Sequence, residues 1–372
     1  MSSRSPLVSA VILALFIPCG AALATTVLVP SEAASIQQGI SMAAAGDTVL
    51  VACGTYYEHD IDLRNGVTVR GATDEPGCVV VDAQGQDRVF EIVGRNNVRL
   101  ERLFITHGDN YGILVRTSED ISIKGCTLDD NYSGIQGGGL YSENSSLEVV
   151  DCLFTDNTAS HRGGGLGVNS STVTVSGCTF IGNEGSHGGG LGLLDSSGLV
   201  TRCIFEDNSV YNAGGGLIIT DSDAEIEYCQ FTGNQASYGG GLTINDSDIV
   251  IRFCTINGNT AENSGGGLYF HLWNESRAEI LLNACSVYDN SSFSGGGLWA
   301  GTDVELEAFN VDVMSNEATY GPDGSVQEDA YLTCCDVLLE RWGGNGTVHL
   351  NNAGCGVAVE GRSLSGVKGL FR

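Results

Sequence analysis

Asp151-Cys152-Leu153-Phe154-Thr155-Asp156-Asn157 leads into Gly163-Gly164-Gly165-Leu166, and the same design returns as Gly177-Cys178-Thr179-Phe180-Ile181-Gly182-Asn183 leading into Gly188-Gly189-Gly190-Leu191. Glycine triplets begin at Gly137, Gly163, Gly188, Gly214, Gly239, Gly265 and Gly295, 25 or 26 residues apart until a last step of 30, and Leu follows every triplet. A cysteine column keeps phase with them at Cys126, Cys152, Cys178, Cys203, Cys229, Cys254 and Cys285. Five residues after each cysteine stands an asparagine: Asn131, Asn157, Asn183, Asn208, Asn234, Asn259 and Asn290. A degenerate copy follows, with Val311 in the cysteine place and Asn316 in its own. Three residue types in phase through seven copies define a repeat.

Within a copy, apolar and polar residues alternate, as in Val173-Thr174-Val175 and Ala224-Glu225-Ile226-Glu227-Tyr228. Alternation predicts short strands. Turn formers such as Asn144-Ser145-Ser146 and Asp221-Ser222-Asp223 separate them. One copy cannot bury its apolar face alone, so copies stack, equivalent strands pair in parallel, and identical side chains fall above one another. Strand twist and the chirality of parallel connections make the winding right-handed. The expected fold is an all-β, right-handed parallel β-helix of roughly 11 coils. A short helix within Ser35–Ala45 is expected to cap its open first coil.

The columns carry physical meanings. Two residues after each cysteine lies an apolar stack of Leu128, Phe154, Phe180, Phe205, Phe231, Ile256 and Val287. Asp or Gly precedes each asparagine, which suits a corner with φ > 0, and stacked asparagines satisfy one another and the turn backbone. Ser171 is expected to be an exposed turn residue.

The remainder bounds the setting. Residues 1–24 read as a signal peptide: Arg4, an apolar stretch from Val8 to Ile17, and the small-residue site Ala22-Leu23-Ala24. The solenoid is expected over 25–330 and a C-terminal cap and tail over 331–372. No later apolar run reaches the ~20 residues of a membrane span. The net charge of −28 opposes nucleic acid and anionic lipid as partners. A monomer is expected.

Asp47-Thr48-Val49-Leu50-Val51 with Gly54-Thr55-Tyr56-Tyr57-Glu58 resembles the opening of the pectin-lyase-like right-handed β-helix superfamily. The copies from 126 to 290 resemble polymorphic outer-membrane protein repeats, in which F-x-x-N is joined to G-G-A-[ILV]. Phe154 with Asn157, Phe180 with Asn183, Phe205 with Asn208 and Phe231 with Asn234 match the first element, and Gly-Gly-Gly-Leu departs from the second by one small residue. The resemblance implies an extracellular or cell-surface location and adhesion. The residues after the last copy are too few for the translocator barrel of such proteins.

Candidate chemistry is sparse. Asp195, Asp221 and Asp246 each stand seven residues after their triplet's first glycine and are expected to stack on consecutive coils, where calcium could bridge them. Asn144 and Ser170 occupy the same column, so turn formation explains the acids equally well. Arg202 and Arg252 are the basic residues nearest to that column in sequence. The six histidines share no column and form no triad, and no catalytic residue is assigned. Cys53 and Cys78, one coil apart, are the disulfide candidates. The seven-cysteine column is expected to be a buried stack of thiols. Cys334, Cys335 and Cys355 are candidates to staple the C-terminal end. The function expected is an exported adhesive or glycan- or protein-binding module. A polysaccharide lyase or hydrolase is the alternative, and a structural spacer is the third reading.

Overall fold

A computed structural model of the chain describes residues 24–351, apart from 274–277, 303, 328–329, 334–335 and 338–340. The signal segment, the tail beyond 351, and Cys334, Cys335 and Cys355 therefore lie outside the described residues.

One coil shows the plan. Its strands are Leu140–Glu143, Ser146–Val150, Leu153–Thr155 and Thr158–Ala159. Each pairs in parallel with the equivalent strand of the next coil, as in Leu140↔Leu166, Leu147↔Val173 and Phe154↔Phe180. Repetition builds four parallel sheets, here called first to fourth in their order along this coil, of 12, 14, 12 and 8 strands. The helix Ile36–Met42 packs on the first coil. Ser35 caps it, and the Glu58 carboxylate accepts from the otherwise orphaned Ile36 and Gln37 amides.

The interior is one continuous apolar column. Rings of Phe154, Phe180, Phe205 and Phe231 stack at 4.7–4.9 Å, within 10° of parallel, adding about 0.5–1.5 kcal/mol per pair beyond their burial. At the corner beyond them runs the asparagine ladder. The Asn157 backbone and side-chain amides both donate to Asn183 Oδ1, at 3.1 and 3.0 Å, and Asn157 Nδ2 also donates to the Leu128 carbonyl. Asn183 repeats this toward Asn208, and Asn208 toward Asn234. All are buried. The preceding residue takes positive φ, as at Asp156 (52°) and Gly182 (63°).

The glycine triplet is dictated by space. Gly163 has φ 70°, and a Cβ there would lie 2.2 Å from the Leu166 carbonyl oxygen; a Cβ on Gly164 would lie 2.3 Å from that of Glu184. The seven column cysteines are buried and free. Cys152 donates to the Ile123 and Val150 carbonyls, and burial pushes its thiol well up, so it stays protonated. Cys53 and Cys78 form a disulfide with their Cα atoms 4.8 Å apart.

Two expectations need correction. Ser171 is buried, not exposed. It belongs to a second internal ladder, in which the amides of Ser145, Ser171, Ser196 and Ser222 each donate to the hydroxyl of the next coil's serine. The solenoid also runs past residue 330. Ala330–Thr333 and Val348–Asn351 extend the second sheet and Trp342–Gly344 the first, because backbone pairing persists after the glycine and cysteine signature has faded.

Candidate functional site on the first sheet

The outer face of the first sheet carries two columns. The second residue of each strand gives Leu114, Tyr141, Gly167, Gly192, Ile218, Thr243, Tyr269 and Trp299. The fourth gives Arg116, Glu143, Asn169, Leu194, Thr220, Asn245 and His271. Aromatic groups stand at both ends. Tyr111 and Tyr141 stack at 5.6 Å. Five coils on, Tyr269 stacks on Trp299 at 4.7 Å, with Tyr238 at 5.2 Å and His271 at 5.9 Å from Tyr269. Trp273 lies 5.0 Å from His271 and is exposed. From Tyr141 to Tyr269 is roughly 24 Å at the spacing of paired strands.

Between the clusters the face is lowered by Gly167 and Gly192 and crossed by Arg162. A Cβ on Gly192 would lie 2.4 Å from Arg162 Cγ, so the arginine lies over the next coil only because this position has no side chain. Arg162 comes from the column just before each glycine triplet, where it pairs with Gln136 on one side and His187 on the other. The His187 ring stacks on His161 at 6.4 Å. Asn212 donates to His187 Nε2 at 2.9 Å, which places the His187 proton on Nδ1. Burial first, then Arg162 and His161, lower the His187 pKa to about 4, so the ring is neutral near pH 7.

Asp195, Asp221 and Asp246 line the rim where the first sheet turns into the second. All three adopt positive φ (47°, 49° and 48°), as do Asn144 and Ser170, so the turn role is met in full. With Ser196, Ser222 and Asp223 they border an open trough of about 1040 Å³. Burial, then Asp246 and Asp195, raise the Asp221 carboxyl above the usual range. Among the described residues, no three His, Cys, Asp or Glu side chains converge closely enough to hold a metal ion.

The basic residue at this rim is Arg162, which interacts electrostatically with Asp195 and Asp221. Arg202 instead lies over the Tyr228 ring at 5.7 Å, and Arg252 pairs with Glu227 and Glu225. Sequence proximity selected the wrong arginines because the chain travels around the coil between neighbours in sequence. His161 and His187 do meet although they share no column. The His187 amide donates to the His161 carbonyl at 2.9 Å, which sets the two rings beside one another across the one-residue offset.

Eight side-chain polar atoms among the described residues are buried with no partner; five of them belong to this face or its entrance: Gln136 Oε1, Arg162 Nε, His187 Nδ1, Thr220 Oγ1 and His271 Nδ1. The sequence signal for this site was variation inside a strict frame. The residue before the triplet runs Gln136, Arg162, His187, Ala213, Tyr238 and Ser264, while the glycines that follow it do not change.

A family profile described as right handed beta helix region matches residues 39–205 and 186–318. No curated protein matches the chain. Solved structures similar to it include pectate lyase Pel9A (11% identity, TM-score 0.41, covering 93% of this chain and 85% of that one). A polygalacturonase from Erwinia carotovora ssp. carotovora is 12% identical with a TM-score of 0.45, over 88% of this chain and 95% of that one. The catalytic domain of a GH87 alpha-1,3-glucanase is 12% identical with a TM-score of 0.43, over 88% and 66%. No described helix is long and apolar enough to cross a membrane.

Proposed function

The chain belongs to the right-handed β-helix family, and from that premise we propose that it binds an extended glycan along the outer face of the first sheet. The observation that carries this reading is a set of five buried, unpartnered polar atoms, those of Thr220 and His271 on the first sheet and those of Gln136, Arg162 and His187 in the column that leads into it, beside two aromatic clusters. Buried polar groups are ordinarily satisfied. A row of hydroxyls would supply donors and acceptors to them, while sugar faces pack on the exposed Trp273 and the half-buried Trp299. The length of the face suits a polymer better than a single small molecule.

The protein is proposed to work outside the cell or at its surface, as an adhesive module. Support comes from the apolar segment at its start and from the Cys53–Cys78 disulfide, a bond that persists in oxidising compartments.

A second reading, catalysis on the bound glycan, is favoured by one juxtaposition. Arg162 lies within electrostatic range of Asp221, whose carboxyl is raised, the kind of acid–base pairing found at reacting centres. Both readings are tested together by titrating a glycan array with the wild-type protein and with Trp273→Ala/Trp299→Ala, while assaying the same samples for released product. Binding lost in the double variant without product supports the binding module. Product released by wild type and lost in Asp221→Asn supports the enzyme. Binding unaffected by the aromatic substitutions overturns the assignment to this face.

A further inference from the structure

The first coils hold a cavity of about 490 Å³ that the first-sheet reading does not use. It lies where the helix Ile36–Met42 ends against the turns that follow strands Ile61–Asp62 and Phe90–Val93. Its polar and charged lining is Gln37, Ser41, Asp62, Arg64, Asn65 and Arg95. A volume of this order accommodates a small ligand.

The walls are held by their own hydrogen bonds. The Asp62 amide donates to Gln37 Oε1 at 2.8 Å, and Gln37 Nε2 donates back to the Asp62 carbonyl at 3.3 Å, which ties the helix to the strand. The Ser41 hydroxyl donates to the Gln37 carbonyl at 2.8 Å, so its oxygen can still accept. Asn65 Oδ1 accepts the Asn96 amide at 2.8 Å and leaves Asn65 Nδ2 as a donor. Arg64 Nη1 donates to the Ser41 and Ala43 carbonyls, at 2.8 and 3.4 Å, and among the described residues no carboxylate pairs with Arg64. Arg95 Nη2 donates to both Asp62 oxygens, at 2.9 and 2.8 Å, while Arg95 Nε is buried without a partner.

Capping the helix thus occupies one nitrogen of Arg64, and Asp62 occupies one of Arg95. The remaining guanidinium donors belong to a single cavity, in a chain with 17 basic against 45 acidic side chains. A buried donor without an acceptor is costly, and an anion would supply the acceptors. Two arginines and one aspartate leave the lining with a single net positive charge, which matches a monoanion. The planar guanidinium fork fits the two oxygens of a carboxylate. Asn65 Nδ2 and Ser41 Oγ then offer a donor and an acceptor to hydroxyl groups.

We propose that this cavity binds a hydroxylated monocarboxylate, a sugar acid of monosaccharide size, with Arg64 and Arg95 holding its carboxylate. The site stands at the far end of the solenoid from Trp273 and Trp299 and does not depend on glycan binding there.

The test titrates D-glucuronate, D-glucose and inorganic phosphate into the protein and follows the arginine Nε–H signals in proton–nitrogen correlation spectra. The Arg64 and Arg95 signals are identified by their loss in Arg64→Gln and Arg95→Gln. Glucuronate is expected to shift both signals saturably, and glucose neither. Phosphate is expected to bind at least ~10-fold more weakly than glucuronate, and each glutamine variant to weaken glucuronate by at least the same factor. Arg64→Lys keeps the charge without the fork, so a similar loss is expected there; it also carries the test should Arg95→Gln, which breaks the pair with Asp62, lower the melting temperature. Trp273→Ala/Trp299→Ala is expected to bind glucuronate as wild type does. Glucose bound as tightly as glucuronate overturns the need for a carboxylate, and phosphate bound as tightly overturns the ligand class. Absence of glucuronate binding, or binding that moves neither signal or survives both Arg64 substitutions, overturns the site.

Discussion

Asp323 ends the asparagine ladder: its Oδ1 accepts both the backbone amide of Asn316, at 3.2 Å, and the Asn316 side-chain amide, at 3.3 Å. A carboxylate thus takes the place of the next asparagine. Its second oxygen accepts from Arg341 Nε, and Arg341 also donates to the Asn316 carbonyl. The Asp323 side chain is fully buried while Arg341 is a third exposed, so the pair carries one end of an internal ladder out to solvent.

Asp323→Ala strands two amide donors and a partly buried guanidinium together. The expected loss is about 3–5 kcal/mol, as for a broken buried pair, read from urea unfolding. A loss below about 1 kcal/mol would mean the ladder closes without this carboxylate.

Inside the ladder, Asn183→Ala removes an acceptor that serves two Asn157 donors, and Asn208→Ala does the same to Asn183. Each is expected to cost about 1–3 kcal/mol. Exposed Glu206→Ala should stay within about 0.5 kcal/mol of wild type. Equal losses in the two classes would contradict the fully internal position of the column.

The thiols give a chemical readout. Cys126, Cys152, Cys178, Cys203, Cys229, Cys254 and Cys285 are free and buried. In denaturant without reductant they are expected to label with a thiol reagent, and in the native state to resist it. Cys53 and Cys78 should label only after reduction. Protection of the column in denaturant would show that neighbouring coils are cross-linked.

Protonation of His187 opposes the fold. Its folded pKa of about 4 lies below the ordinary 6.5, so the unfolded chain takes up the proton first as pH falls. The contribution is fully present above pH 6.5 and is lost as pH drops through the folded value. The ring is partly exposed, which keeps the effect modest. Urea unfolding at pH 7.5 and 4.5 should therefore show a smaller pH-dependent loss in His187→Gln than in wild type, and identical losses would remove His187 as a contributor.

The parts of the fold legible in the sequence are those where one residue type is forced at every coil. A Cβ on Gly163 would strike the Leu166 carbonyl, each asparagine must satisfy its neighbour, and Phe must stack on Phe. Such constraints repeat, so they print as columns. The groove obeys no such rule. Arg162 depends on Gly192 one coil away, and His161 meets His187 on the next coil across a one-residue offset. Ser171 looked like surface because serine is a turn former whether its hydroxyl faces water or the next coil's amide. The acidic rim was visible in the sequence. Its basic partner was not, because Arg162 stands 33 residues before Asp195 along the chain.

The acidic rim also makes a prediction about calcium. Asp195, Asp221 and Asp246 stand on consecutive coils, and mutual repulsion contributes to the raised Asp221 carboxyl. Calcium would relieve that repulsion, but it asks for six to eight oxygens at 2.3–2.6 Å. No such convergence of three acidic side chains occurs among the described residues, and Arg162 already supplies positive charge to two of the acids. A filled site at 100 times its dissociation constant would add about 2.7 kcal/mol, which shifts the melting temperature of a chain this size by several degrees. The expected result is no such shift when millimolar calcium is added to chelator-treated protein. Asp221→Asn should instead stabilise slightly at neutral pH, since it removes one of three like charges while the amide keeps the turn. A calcium-dependent rise of several degrees that disappears in Asp221→Asn would show that the carboxylates rearrange around the ion, and would make the rim a metal site.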